Sequence, residues 1–209
     1  IGFGAQQIVR DFFGGTLILL ENQYAKGDVV TLVGVTGVVE EFTLRRSVLR
    51  DTDGIVRFPY QDGDLKARGA AENLAELPGG GRLRGGGHWT RDLVFSKDGT
   101  KLFASVGSHS NIDDPDTHPE EYHRADVLEF TPQGKFVKVY AWGIRNCVGE
   151  AINPITGELW CSTNERDGLG NNLVPDYVTH VQEGGFYGWP WWYMGGHQDP
   201  RHVGKHPEL

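Results

Sequence analysis

The chain has 209 residues and a formal net charge of -8, with 38% hydrophobic and 23% charged residues. It is long enough to bury one medium core or two small ones. The acidic balance and the absence of basic clusters exclude a general phosphate-binding surface, so no nucleic-acid partner is expected. Thirty glycines favour a loop-rich, mainly β architecture over a helical one.

In chain order, Ile8, Val9, Phe12, Phe13, Leu17 and Leu20 fall near helical spacing, with Gly14-Gly15 as a kink. The apolar run Phe12 to Leu20 is too short and too interrupted to span a bilayer. The chain starts at Ile1, so a start codon and any signal peptide are expected outside it. After Lys26-Gly27-Asp28, short β-branched runs at Val29 to Val33, Val38 to Phe42 and Arg45 to Arg50 predict a small β-barrel. Ala70 to Gly87, with Leu77-Pro78-Gly79-Gly80-Gly81 and Gly85-Gly86-Gly87, reads as a connecting loop.

A repeating unit follows: an apolar strand, a tight turn ending in Gly, and a returning strand. Its copies run Asp92 to Val106, Val127 to Val139, and Gly149 to Thr163. Long polar loops such as Ser108 to His123 join them, which suits propeller blades whose face loops carry ligands. In the third copy, a simple hairpin around Pro154-Ile155-Thr156-Gly157 puts Cys161 opposite Glu150 and leaves Cys147 three residues further along. An offset of ~10 Å exceeds disulfide reach, so two free thiols are expected.

Two resemblances overlie this pattern. The Gly-Phe-Gly-Ala-Gln start, Ile18-Leu19-Leu20-Glu21-Asn22-Gln23-Tyr24, Gly27-Asp28-Val29-Val30, Gly34-Val35-Thr36-Gly37-Val38-Val39-Glu40-Glu41 and Leu49-Arg50-Asp51-Thr52-Asp53-Gly54 resemble the pore-helix end and β-domain of small-conductance mechanosensitive channels. Val56-Arg57-Phe58-Pro59-Tyr60, Gly86-Gly87-His88-Trp89-Thr90-Arg91-Asp92, Gly143-Ile144-Arg145-Asn146, Asn164-Glu165-Arg166-Asp167-Gly168-Leu169-Gly170 and Gly184-Gly185-Phe186-Tyr187-Gly188-Trp189-Pro190 resemble the glucose/sorbosone dehydrogenase family, in its sorbosone dehydrogenase-like branch. Together they imply a mainly β chain, with a helix and small SH3-like β-barrel segment at 1-54. A partial six-bladed β-propeller, about half of the blades, follows at 55-209. The channel segment implies a homo-oligomer or membrane association, and the dehydrogenase segment a periplasmic or extracellular setting. That conflict leads to the expectation of an artificial or accidental join near Asp53 to Arg57.

The dehydrogenase resemblance implies PQQ-dependent oxidation of an aldose or sorbosone-type sugar, with an external electron acceptor to reoxidise the cofactor. Oxidation at the anomeric carbon needs a base, and an imidazole titrating near neutrality suits that role. His88 matches the family's catalytic base. PQQ is a tricarboxylate quinone that calls for guanidinium and amide donors, and Arg145 and Asn146 match the family's cofactor-contacting pair, with Arg91 a weaker candidate. Glu165-Arg166-Asp167-Gly168 matches the loop that, in related sugar dehydrogenases, offers backbone carbonyls to Ca²⁺ and a side chain to the quinone. This gives Arg166 to the cofactor and Glu165, Asp167 and Gly168 to the metal. The loop lacks the Gln-Gly-Pro of the soluble glucose dehydrogenase version. The aromatic run Phe186, Tyr187, Trp189, Trp191, Trp192 and Tyr193 reads as core, and His197, His202 and His206 as surface. The competing expectation is an inactive propeller fragment joined to an oligomerising channel-derived module.

Overall fold

A computed structural model describes residues 54-57, 72-78, 87-88 and 91-209, together with the backbone of three strands within 29-51. The expected N-terminal helix, the Gly-rich stretch 79-86 and the pair Trp89-Thr90 lie outside the described residues. The chain divides into two compact units, Ile1–Thr52 and Asp53–Leu209.

In the first unit β1 (Val29–Leu32), β2 (Val35–Phe42) and β3 (Ser47–Asp51) form an antiparallel meander in the order β1-β2-β3. The three β-branched runs are therefore strands, as read from the sequence, and the described part is an open three-stranded sheet.

The second unit begins with the antiparallel pair β4 (Gly54–Arg57) and β5 (Glu72–Glu76), closed at one end by an Arg57–Glu72 ion pair of 2.6 Å. A four-stranded sheet follows, ordered β6 (Leu93–Phe95), β7 (Leu102–Val106), β8 (Asp126–Phe130) and β9 (Phe136–Trp142). A three-stranded sheet contains β10 (Cys147–Ile152), β11 (Leu159–Thr163) and β12 (Tyr177–Val181). The two-residue strands β13 (Trp192–Tyr193) and β14 (His197–Gln198) pair near the end. All three hairpins read from the repeat are present as β6-β7, β8-β9 and β10-β11. Their turns close as the residue types demand: Asp98 Oδ1 accepts from Thr100 N at 3.0 Å and Ser96 Oγ at 2.6 Å, and Gly99 takes φ +71°.

Period-2 alternation sends the side chains of β7 and β8 to opposite faces of the four-stranded sheet. On one face Ile55, Leu77, Leu102, Ala104, Val106, Leu128 and Phe130 form a core under β4-β5. On the other, Phe103, Val127, Ala141, Ile144, Leu159 and Val181 join it to the three-stranded sheet. Burying each such Val, Leu or Phe is worth about 1.5–3 kcal/mol, so the middle sheet is the stable centre of this unit.

The cysteine expectation is corrected. Cys161 does sit opposite Glu150, yet Cys147 and Cys161 form a disulfide with Cα atoms 5.8 Å apart. The register slips between Cys147 and Gly149, so Val148 bulges out and Cys147 pairs with Thr163, only two residues from Cys161. The bulge shortens the offset that the ideal ladder assumed. The bond closes a sequence separation of 14 residues, for which loop-closure entropy predicts about 3 kcal/mol of stabilisation. Urea unfolding of the Cys147→Ala/Cys161→Ala double variant is expected to show a loss of about 2–4 kcal/mol relative to the oxidised parent, and no further loss when reductant is added.

Candidate functional site

Because neighbouring strands are antiparallel, the end of β7, the start of β8, the end of β9, the start of β10 and the end of β11 all lie at one edge of the two sheets. The tight turns lie at the opposite edge, and the longer connections gather at this one. Ser108 N donates to Arg145 O at 2.8 Å and Asn164 N to Asn146 O at 3.0 Å, so the loops after β7, β9 and β11 are stitched together.

His88 is held at this edge from both sides. Its backbone N donates to Ser108 O at 2.9 Å, and its Nδ1 lies 3.1 Å from both Ser108 O and Ser108 Oγ. A carbonyl can only accept, so Nδ1 carries the proton and Nε2 the free lone pair. Gly107 leaves no room for a side chain here: a Cβ would stand 2.2 Å from Asn146 Oδ1 and 2.5 Å from His88 Cβ. Histidine and asparagine therefore flank one glycine. Asn146 Oδ1 is buried without a hydrogen-bond partner.

Three guanidinium groups surround the imidazole. Arg91 donates to His88 O at 2.9 Å and to Pro78 O at 2.7 Å, and is buried where the sequence suggested a surface strand position. Arg124 donates to His88 O at 3.0 Å, Gly107 O at 2.8 Å and Ser108 O at 3.1 Å. Burial first, then the charges of Arg145, Arg124 and Arg91, hold the His88 pKa down at about 4 against the opposing hydrogen bond that Nδ1 donates to Ser108 O. The ring is neutral at pH 7.

Arg145 is engaged within the protein. Nε donates to Asn111 O at 3.1 Å, Nη1 to Glu165 O at 2.6 Å and Asn164 O at 3.3 Å, and Nη2 to Asn111 Oδ1 at 2.9 Å, with Asp167 Oδ2 3.5 Å away. Only the Asp167 position is open, since that side chain is 88% exposed. Arg166 pairs with buried Asp199 at 3.0 Å.

The acidic loop does not converge on a cation. The Glu165 carboxylate accepts from Arg166 N at 3.1 Å, and burial raises its pKa despite the favourable charge of Arg145. Glu165 O is already taken by Arg145, Asp167 faces the same arginine, and Gly168 (φ +90°) has no neighbour within 4 Å of a Cβ position. Among the described residues no group of three or more His, Cys, Asp or Glu side chains could hold a metal.

Sequence reading missed Asn111, Ser108, Arg124 and Asp199. Asn111 O and Oδ1 accept from Arg145, Trp189 Nε1 (2.9 Å) and Asp167 N (2.9 Å), and Nδ2 donates to Asp167 O at 3.0 Å. The only signal was that the loop containing Asn111 was long and polar. His202 was expected at the surface; it is buried, with Nε2 2.7 Å from Ile112 O. Trp189 and Trp191 are buried, in keeping with the core reading of the aromatic run.

A mainly β scaffold thus gathers a neutral histidine, a buried amide and arginines at one sheet edge. The glucose/sorbosone dehydrogenase family model matches residues 78–208, more than half of the chain, which therefore belongs to that family. The β-domain of mechanosensitive ion channels matches residues 7–61. Similar proteins include the aldose sugar dehydrogenase YliI of Escherichia coli K12, 30% identical over 52% of this chain and 30% of its own length. The small-conductance mechanosensitive channel of Caldanaerobacter subterraneus subsp. tengcongensis is 43% identical over 32% of this chain and 23% of its own. The chain thus spans less than a third of the length of these relatives. In fold it is similar to the PQQ domain of pyranose dehydrogenase from Coprinopsis cinerea in its holo form (TM-score 0.55, 20% identity, 69% of this chain and 39% of that one). It is also similar to the family AA12 carbohydrate-active enzyme of Trichoderma reesei (TM-score 0.52, 20% identity, 71% and 42%).

The depressed His88 pKa predicts a pH dependence of stability. An unfolded histidine takes up a proton as pH falls through 6.5, whereas the folded one does so only near 4. Stability is therefore fully present above pH 6.5 and is lost progressively down to pH 4. Allowing for solvent screening, the loss is about 1–2 kcal/mol. Unfolding curves of the parent and of His88→Gln at pH 7 and pH 4.5 are expected to differ by this amount in their pH sensitivity, the variant being the flatter.

Proposed function

We propose that residues 53-209 contribute a sugar-oxidising site that works with PQQ, read as part of a β-propeller in which β6-β9 and β10-β12 are neighbouring blades. The observation that carries this reading is the neutral His88 beside the orphaned Asn146 Oδ1, in a pocket wall of arginines that donate mostly to carbonyls and so keep their positive charge. That wall suits a tricarboxylate, and the orphaned Asn146 Oδ1 suits an N–H or hydroxyl donor of the bound molecules. When bound, the quinone would supply the acceptor for the hydride, which carries both electrons away from the anomeric carbon of an aldose or sorbosone-type sugar, and an external acceptor would restore it. His88 Nε2 takes the hydroxyl proton; Ser108 fixes the tautomer and Arg124 the backbone, so the base needs no reorganisation. Arg91 and Asn146 are the residues that would hold the cofactor in this reading. Arg145 orders the loops, and a cofactor carboxylate reaches it by displacing Asp167. The carboxylates of Glu165 and Asp167 do not gather with a third ligating side chain, so a calcium ion here would rest on backbone carbonyls of the loop, and no step is assigned to it.

Titration of the purified chain with PQQ, followed by quinone absorbance, tests the reading, with glucose and sorbosone then added alongside a dye acceptor. Saturable binding is expected, with turnover falling about 10²–10⁴-fold in His88→Ala while quinone binding is kept. A folded chain that binds no quinone would overturn it.

The channel match at residues 7–61 and the β1-β2-β3 sheet support a second role for the first unit, as an oligomerising or membrane-associating module. Light scattering on the eluting peak of a size-exclusion column is expected to give a multiple of 23.2 kDa. A monomer mass would remove this role.

A further inference from the structure

A cleft of about 440 Å³, with Arg124 in its wall, opens between the loop at 121-126 and the segment at 184-191. Its lining includes Tyr122, His123, Asp126, Trp142 and Trp189. His88 and Asn146 do not line it, although Arg124 and the motif residues Gly143, Gly184, Trp189 and Pro190 contribute to its wall.

Several features mark it as a built site. Asp126 and Trp142 are cross-strand partners at the ends of β8 and β9, which places a carboxylate beside an indole. Asp126 is buried, its pKa pushed up to about 6 chiefly by that burial, and its nearest ionic partner is His123 Nδ1 at 3.8 Å, beyond a good hydrogen bond. His123 (φ 52°) and Ala125 (φ 57°) both hold the left-handed backbone region that residues with a Cβ avoid, at a cost of order 1–3 kcal/mol each. Tyr122 lies against the His123 ring at 3.9 Å between centroids, tilted by 49°, while remaining 69% exposed. An exposed aromatic face, an incompletely bonded buried carboxylate and an imidazole form a set that matches one ligand chemistry well. A pyranose ring offers apolar C–H faces to an aromatic plane, and paired hydroxyls to a carboxylate and a ring nitrogen.

We propose that this cleft is a carbohydrate-binding subsite, in which Tyr122 and Trp142 carry the sugar face and Asp126 and His123 its hydroxyls. The subsite needs no cofactor and stands independently of the quinone reading. Because Arg124 borders both the cleft and His88, it would hold a second ring of a longer saccharide next to the reacting one.

Calorimetry and tryptophan fluorescence with cellobiose as the probe, on the full 209-residue chain without quinone, test it. Saturable binding is expected, weakened about tenfold in Asp126→Asn, which keeps shape and removes a charge-assisted hydrogen bond. Tyr122→Ala, at an exposed position that leaves the core intact, is expected to weaken it several-fold. Absence of binding by the folded chain overturns the proposal, as does binding equal in parent and both variants. Saturation by tetramethylammonium in place of cellobiose overturns it too, since it would show a cation cage. Because no quinone is present, failure here is distinct from failure of the oxidation site.

Discussion

The second unit depends on the guanidinium of Arg145. Its N–H groups reach Asn111 in the loop after β7 and Asn164, Glu165 and Asp167 in the loop after β11, while its own backbone carbonyl accepts from Ser108. One side chain thus replaces, for three irregular loops, the ladder bonds that strands supply to one another. Its partners are mostly neutral carbonyls, so the charge is positioned without being cancelled. That is why it acts on His88 from within the wall and depresses the imidazole more than Arg124 or Arg91 does.

Carbonyl-bonded arginines also explain how an acidic chain presents a positive site. The carboxylates in the same region are used elsewhere. Buried Glu121 accepts from His109 N and Ser110 N at 2.7 Å each, and Asp199 takes Arg166. Asp114 takes Lys205, and Asp116 takes His206. These contacts fasten the segment 197-209 to the loop at 109-118, so acidic residues shape the walls and leave the positive potential at His88 intact. Removing one partner of the buried Arg166–Asp199 pair would leave the other charge without compensation, which makes the segment a structural necessity for the site.

Much of this was legible in the sequence where the signal was local. The repeated unit of an apolar strand, a tight turn ending in Gly and a returning strand gave the hairpins, and the register of Glu150 against Cys161 was read correctly. The disulfide was misjudged because a single bulged residue, Val148, carries no sequence signature and halves a distance computed from an ideal ladder. His88 and Asn146 were found through motifs, and they do meet at Gly107. Asn111, Arg124 and Asp199 were not found, because their partners lie tens of residues away and depend on which loops share an edge. His202 was misplaced for the same reason: its acceptor, Ile112 O, is 90 residues distant.

Ile55 in β4 has a further consequence. It is 3% exposed and packs with Leu102, Ala104, Leu128 and Phe130 in the core of the second unit, yet it falls inside the stretch that matches the channel β-domain. The boundary drawn by ancestry, between residues 61 and 78, is therefore displaced from the boundary drawn by folding, which runs before Asp53. A gene cut at the first would yield a protein with an uncovered apolar sheet face. An expression boundary for the dehydrogenase-like unit has to follow the side chains and keep β4, whichever family first encoded it.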